Sequence, residues 1–340
     1  MTSQPRDLAI TVAQYGIAVA ALAWLLTQFD IASAVDLLAG VSIKTALAVI
    51  AVSVLGICGR VYSWHAVISP LAPVQFRTAA GTTLIVNFVN QLLPSRLSGR
   101  LAAPFVLRSQ TGMVYSDAAA AAAVHTGVYA VYYGLAATAG LVLAIPLLRL
   151  ELIALLALAT GLYFVAGLAI LLAGVNLSYL DRLIGWLAGV AARIPRVGES
   201  LATRIDGLLA FTDSSTTAFQ SLVSRHRMWL RYGAGWAVDM VVAPGVRVGL
   251  LLLSFGVAFE PLVALPLYLL VAYSVTLLPL TPGGIGVTEA TATAVFVALG
   301  IPGEVIIPIV FVDRFFGIYL PSLAGWYPSV RLDLSSLAAE

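Results

Sequence analysis

The chain alternates long apolar runs with short polar breaks, and the runs have the length that a membrane helix needs. Helices are predicted over 8–29, 42–64, 78–93, 116–146, 150–175, 229–254, 261–280 and 304–327. About 20 apolar residues are enough to cross a hydrocarbon core of ~30 Å. Two further segments, 94–110 and 282–299, break this pattern. The first opens with Pro94-Ser95-Arg96-Leu97-Ser98-Gly99-Arg100, the second with Pro282-Gly283-Gly284-Ile285-Gly286-Val287-Thr288-Glu289. Non-helical backbone at membrane depth has to be buried in protein or line a wet cavity, so both segments are read as re-entrant. The predicted fold is an all-α polytopic membrane protein with about eight membrane helices plus two re-entrant segments. It forms one transmembrane domain over 1–340, with a first half over 1–146 and a second over 229–327.

The two breaks fall into register. At an offset of 188, Leu92/Leu280, Pro94/Pro282, Ala102/Ala290, Gly112/Gly300 and Val124/Val312 coincide. Charge orients the halves. The segment 176–228 and the start of the next helix hold Arg182, Arg193, Arg196, Arg204, Arg225, Arg227 and Arg231, whereas Lys44 and Arg149 are almost alone in the loops on the other side. The positive-inside rule then puts both termini inside, with Arg331 also cytoplasmic, and the re-entrant segments enter from opposite faces as an inverted repeat. Within 176–228, apolar residues recur at helical spacing at Leu177, Leu180, Ile184, Leu187 and Ala191, and again at Leu201, Ile205, Leu208 and Leu209. Two cytoplasmic amphipathic helices lying in the membrane interface are expected there, or a platform for a partner protein.

Composition agrees and excludes other classes. The chain is 61% hydrophobic and 10% charged with mean hydropathy +0.99, far from a soluble domain. Its net charge of +2 comes from arginines in a few loops and points to no nucleic acid. The single cysteine, Cys58, rules out a disulfide or cysteine-ligated metal within one chain. The sequence lacks a GxxxxGK[ST] phosphate loop and an HExxH motif, so no nucleotide, metal or other cofactor is expected.

The candidate chemistry is intramembrane charge. Arg96 and Arg100 share a helical face, and an arginine at the bilayer centre costs at least ~2.5–3.5 kcal/mol unless it meets an anion. A lipid phosphate or an internal carboxylate would serve, while Arg108 sits where it could snorkel. Ser95 and the amides Asn87, Asn90 and Gln91 flank this break. In the second break Gly283, Gly284 and Gly286 expose backbone amides. Glu289 follows in the first turn of a helix, as a helix-stabilising group, the partner of a buried arginine, or a coupling site. Asp239 with Arg247, and Asp313 with Arg314, read as neutralising pairs. His125, equivalent to Asp313 in the repeat, is a proton relay or a neutral structural histidine.

These motifs resemble a known family. Leu93 to Arg100, the stretch Arg108/Gly112/Ser116-Asp117-Ala118, and Pro282 to Ala290 followed by Gly300-Ile301-Pro302 are similar to the flippase-like transmembrane domain of lysylphosphatidylglycerol synthases. The resemblance implies lipid translocation: of aminoacylated phospholipids, or of polyisoprenyl-phosphate sugars. Where the family has Glu-Arg and Tyr-Arg, this chain has His125-Thr126 and Asp313-Arg314, and no soluble aminoacyltransferase domain follows in this sequence. A stand-alone flippase in a prokaryotic cytoplasmic membrane is therefore expected, not an enzyme. Its substrate would be a polyisoprenyl-phosphate-linked sugar first and an anionic or aminoacylated phospholipid second, bound by Ser95, Asn90, Arg96, Arg100, Gly283, Gly284, Gly286, Glu289 and Arg314. A glycosyltransferase or lipid synthase is the expected partner. Two other classes remain open. One is a membrane glycosyltransferase using Asp30 and Asp36; the other is an ion or solute carrier using Glu289 and Asp313.

Overall fold

A computed structural model describes residues 38–92, 96–176, 198–278 and 280–329, without the side chains of Leu92, 96–101, 198–209 and Pro282. The helix expected over 8–29, the carboxylates Asp30 and Asp36, Ser95, the amphipathic stretch 177–191 and Arg331 lie outside the described residues. All described elements are helical: α1 (Ile43–Ile68), α2 (Phe76–Leu92), α3 (Arg96–Thr111), α4 (Tyr115–Ala144), α5 (Leu150–Val175), α6 (Gly198–Val223), α7 (His226–Ser254), α8 (Leu262–Leu277), α9 (Val287–Ala298) and α10 (Gly303–Ser329). Five of these, α1, α4, α5, α7 and α10, are long and apolar enough to cross a membrane. Their outer faces carry exposed Leu47, Val54, Val165, Leu172, Leu253 and Leu323, as lipid contact requires.

The predicted helices over 78–93 and 261–280 are present as α2 and α8. Each is the first arm of a helix–break–helix hairpin, and its second arm is the segment read as re-entrant: α2 packs on α3, and α8 on α9. With 17, 16 and 12 residues in α2, α3 and α9, these arms reach only ~18–25 Å. The element order repeats. Advancing α4 by 188 positions sets its first residue, Tyr115, on Gly303, the first residue of α10, and Phe76 of α2 on Ala264, inside α8.

The equivalent helices α1 and α7 run antiparallel. Gly56 faces Ala243, Gly59 faces Gly235, and Ser63 Oγ donates to the Tyr232 carbonyl at 3.2 Å. A Cβ on Gly59 would stand 2.7 Å from the Gly235 carbonyl oxygen, so bare backbone is what permits the crossing. This is an inverted arrangement of the two halves about α1 and α7.

The halves are also interlocked. Hairpin α2–α3 of the first half packs on α10 of the second, and α8 of the second packs on α4 of the first. At both crossings a glycine presses on a backbone carbonyl, Gly325 on Leu84 and Gly140 on Leu267.

Helix α6 contains the second of the two stretches expected in the interface, 201–209, and runs on to Val223; from Thr212 onward it docks on α4 and α5. Thr212, Ser215, Ala218, Phe219 and Leu222 recur on one face and are buried, and the Phe219 ring fills the space left by Gly174 of α5. From Thr212 to Leu222 this face is therefore turned to the bundle, while the side chains of Leu201, Ile205, Leu208 and Leu209 lie outside the described residues. Phe219→Ala should cost about 3–5 kcal/mol, read as a lower denaturation midpoint in detergent. A shift within error would mean that α6 is held by other contacts.

Candidate functional site

Six charged side chains meet in the middle of the bundle, and they form three pairs. Arg60 of α1 donates Nε to Asp239 Oδ2 at 2.8 Å and Nη2 to Oδ1 at 2.9 Å. Its Nη2 also reaches the Gly317 carbonyl at 3.0 Å. Arg247 donates Nε and Nη2 to Asp313 Oδ1 at 2.8 and 2.6 Å, and Nη1 to Ser53 Oγ at 3.1 Å, while Tyr273 donates to Asp313 Oδ2 at 2.8 Å. Arg314 donates Nε to Glu289 Oε1 at 2.9 Å, the same oxygen that Tyr319 bonds. The carboxylate's other oxygen accepts from the Gly286 N–H at 2.7 Å, so Glu289 caps α9 at its third position.

The neutralising pairs are therefore not the sets expected from sequence. Asp239 pairs with Arg60 instead of Arg247, and Arg314 with Glu289 instead of its neighbour Asp313. Neighbouring helical positions i and i+1 point in different directions, which separates Asp313 from Arg314. Asp239 and Gly317 both lie in π turns, Val238–Val242 of α7 and Phe315–Tyr319 of α10. A π turn inserts one residue and re-aims side chains, and such turns gather at functional sites. Here both are fastened by the one guanidinium of Arg60.

Two cavities flank the pairs. The first, ≈ 100 Å³, is lined by the α2 arm with Asn87, Asn90 and Gln91, and by Trp64, His125 and Trp236. The second, ≈ 70 Å³, is lined by the α8 arm with Tyr273 and Thr276, and by Arg247, Asp313, Arg314 and Gly317. The two lie in series along the helices. Along α1 the second cavity spans Ser53 to Arg60 and the first Arg60 to Trp64; along α4 the first spans His125 to Tyr129 and the second Tyr129 to Tyr133. Helices α7 and α10 show the same hand-over at Asp239–Met240 and at Ile318. The wall common to both cavities consists of Arg60, Tyr129, Asp239, Met240 and Ile318.

The first cavity carries polar atoms buried without a hydrogen bond among the described residues: Asn87 Nδ2, Asn90 Oδ1, Gln91 Oε1 and Trp236 Nε1. Buried polar atoms are rarely left so, and a donor–acceptor mixture facing one cavity is suited to hydroxyl groups, which do both. His125 stacks on Trp64 at 3.8 Å and its Nδ1 lies 3.2 Å from the Tyr232 hydroxyl, an aromatic wall of the cavity.

The residues expected at the site divide. Asn90 and His125 line the first cavity, Asp239 lines both, and Arg247, Asp313 and Arg314 line the second. Gly283, Gly284, Gly286 and Glu289 line neither. They form the buried tip of the second hairpin, with φ of 61, 75 and 81° at the three glycines, and Gly283 lies against the Gln91 side chain. The second tip therefore touches the end of α2, and the amides expected to face a headgroup are packed away. Ser95 and the side chains of Arg96 and Arg100 lie outside the described residues. Sequence reasoning passed over Arg60, Tyr273 and Tyr319. A lone guanidinium within the apolar run 42–64 was the available signal for Arg60.

Long apolar helices in an inverted repeat, with two short hairpins and buried charge between them, narrow the field to polytopic membrane domains. A family model described as the lysylphosphatidylglycerol synthase transmembrane region matches residues 10–325. The chain belongs to this family. No curated protein and no solved structure matches it. Membership places the protein among multi-pass, lipid-related membrane domains. In this member the match covers α1 to α9 and most of α10, with both hairpins, both cavities and all three ion pairs.

Proposed function

We propose that this protein is a lipid flippase of the cytoplasmic membrane of a prokaryote, with both termini inside. It moves a lipid with a phosphate headgroup, a polyisoprenyl-phosphate-linked sugar before an anionic or aminoacylated phospholipid. The observation that carries the reading is the pair of cavities in series, each bordered by buried charge and lined by the hairpin of one half. A headgroup would pass from one to the other while the tails stay in lipid, an alternating-access scheme built from an inverted repeat. Because each hairpin is gripped by the other half, the moving parts are the hairpins and π turns, not the halves as rigid bodies.

The lining favours a sugar. Two donors and two acceptors that bond none of the described residues match hydroxyls, and Trp64, Trp236 and Tyr232 give the same cavity an aromatic lining. A carrier reading has less support, since Asp239, Asp313 and Glu289 are each already matched by an arginine. An upstream glycosyltransferase or lipid synthase would supply the substrate.

The test is headgroup protection in proteoliposomes with a labelled polyprenyl-phosphate sugar and a labelled phospholipid. Wild type should move the sugar lipid faster. Asn90→Ala, which removes an acceptor that bonds no described residue, should slow it about tenfold without altering the denaturation midpoint, and Arg96→Ala should slow both lipids. Movement of neither lipid by folded protein would refute the reading.

A further inference from the structure

Among the described residues, five line both cavities, and of these five the charged ones are Arg60 and Asp239. They bond through two N–H···O contacts of 2.8 and 2.9 Å, with side-chain exposures of 13% and 7%. We propose that this ion pair is a partition operated by the substrate: the lipid's phosphate takes the place of the Asp239 carboxylate at Arg60 and so opens its own passage between the cavities. This rests on the flippase reading and adds to it the gate and the group that works it.

Three observations support the exchange. Carboxylate and phosphate are equivalent partners for a guanidinium, since both offer paired oxygens to its fork. Arg60 uses Nε and Nη2 for Asp239 and Gly317, which leaves Nη1 for an incoming oxygen before Asp239 lets go. And the acceptors of Arg60 both sit on π turns, in α7 and α10, so releasing them frees one inserted residue in each of the two helices that wall both cavities. A static brace would not need its anchors there. The other two pairs lie on one side only: Arg247 and Asp313 border the second cavity alone, and Glu289 borders neither. After the phosphate has passed, Asp239 closes on Arg60 again. The Tyr129 ring, common to both cavities and stacked towards His125 on one side and Tyr133 on the other, gives the headgroup a continuous face along α4.

The experiment keeps the pair native and reports on each cavity separately. In a Cys58→Ser background, Thr126→Cys reports on the first cavity and Ile57→Cys on the second. An impermeant thiol reagent added from the first cavity's side should label Thr126→Cys and spare Ile57→Cys. A short-chain isoprenyl phosphate should raise Ile57→Cys labelling about tenfold, while the corresponding isoprenol should not. In the uncharged double variant Arg60→Gln/Asp239→Asn, Ile57→Cys should label equally with and without the phosphate, and lipid movement should fall about a hundredfold. A pair that merely braces the fold gives the opposite result, because the double variant then transports like wild type. If wild type moves lipid but the phosphate leaves Ile57→Cys labelling unchanged, the partition is overturned and the flippase reading stands. If the phosphate opens Ile57→Cys but no lipid crosses, the gate stands and the flippase reading fails.

Discussion

Replacing Arg314 with alanine is expected to cost about 3–5 kcal/mol of folded stability, the largest effect of any single charge among the described residues. Its partner Glu289 is fully buried and has nowhere to place its charge. Three groups now hold the carboxylate: the guanidinium Nε at 2.9 Å, the Gly286 N–H at 2.7 Å and the Tyr319 hydroxyl. Without the arginine only neutral donors remain, and the tip of the second hairpin is tied to α10 through the Tyr319 hydroxyl alone among these contacts. Arg314→Met combined with Glu289→Gln removes both charges at similar volume and should recover more than half of the loss. Denaturation midpoints of the two variants in detergent decide the matter. A loss under about 1 kcal/mol for Arg314→Ala would show that the hairpin tip does not depend on the pair.

The second large effect is expected at the crossings between halves. Gly325→Val on α10 and Gly140→Val on α4 should each cost about 3 kcal/mol, at the upper end of what overpacking does. In both cases the atom in the way is a main-chain carbonyl oxygen, of Leu84 or Leu267, which cannot swing aside as a side chain would. The exposed neighbour Leu323, on the same helix as Gly325, makes the control: Leu323→Val should leave the denaturation midpoint unchanged. Equal effects of Gly325→Val and Leu323→Val would mean that the close approach carries no stability.

Much of this architecture could be read directly from the chain. Apolar runs located every described membrane helix, because in lipid a helix must satisfy its own backbone and so shows its full length as hydrophobicity. The Pro/Gly breaks marked both hairpin tips, and the match of Pro94 with Pro282 set a register that α1–α4 and α7–α10 follow. Glu289 was legible as a helix cap and as the partner of a buried arginine, but which arginine each carboxylate meets was beyond reach. Arg60 and Asp239 stand 179 positions apart, and their meeting depends on how closely Gly59 and Gly235 allow two helices to cross. A cavity beside the first break, faced by Asn87, Asn90 and Gln91, was legible; that there are two in series was not, since they are spaces between helices and not properties of any one of them. The glycines of the second break looked like ligand-facing amides, yet the geometry that glycine permits there serves to fold the tip inward against Gln91.

The exchange of hairpins between halves also sets an order of assembly. Residues 76–111 leave the ribosome early, but the helix that clamps them, Gly303–Ser329, is synthesised after every other described element. Until it arrives, the amides of Asn87, Asn90 and Gln91 sit in an unclosed groove where the translocation machinery, lipid headgroups or a chaperone must shelter them. A ribosome stalled before residue 303 would therefore leave a chain whose first half is inserted but not yet folded.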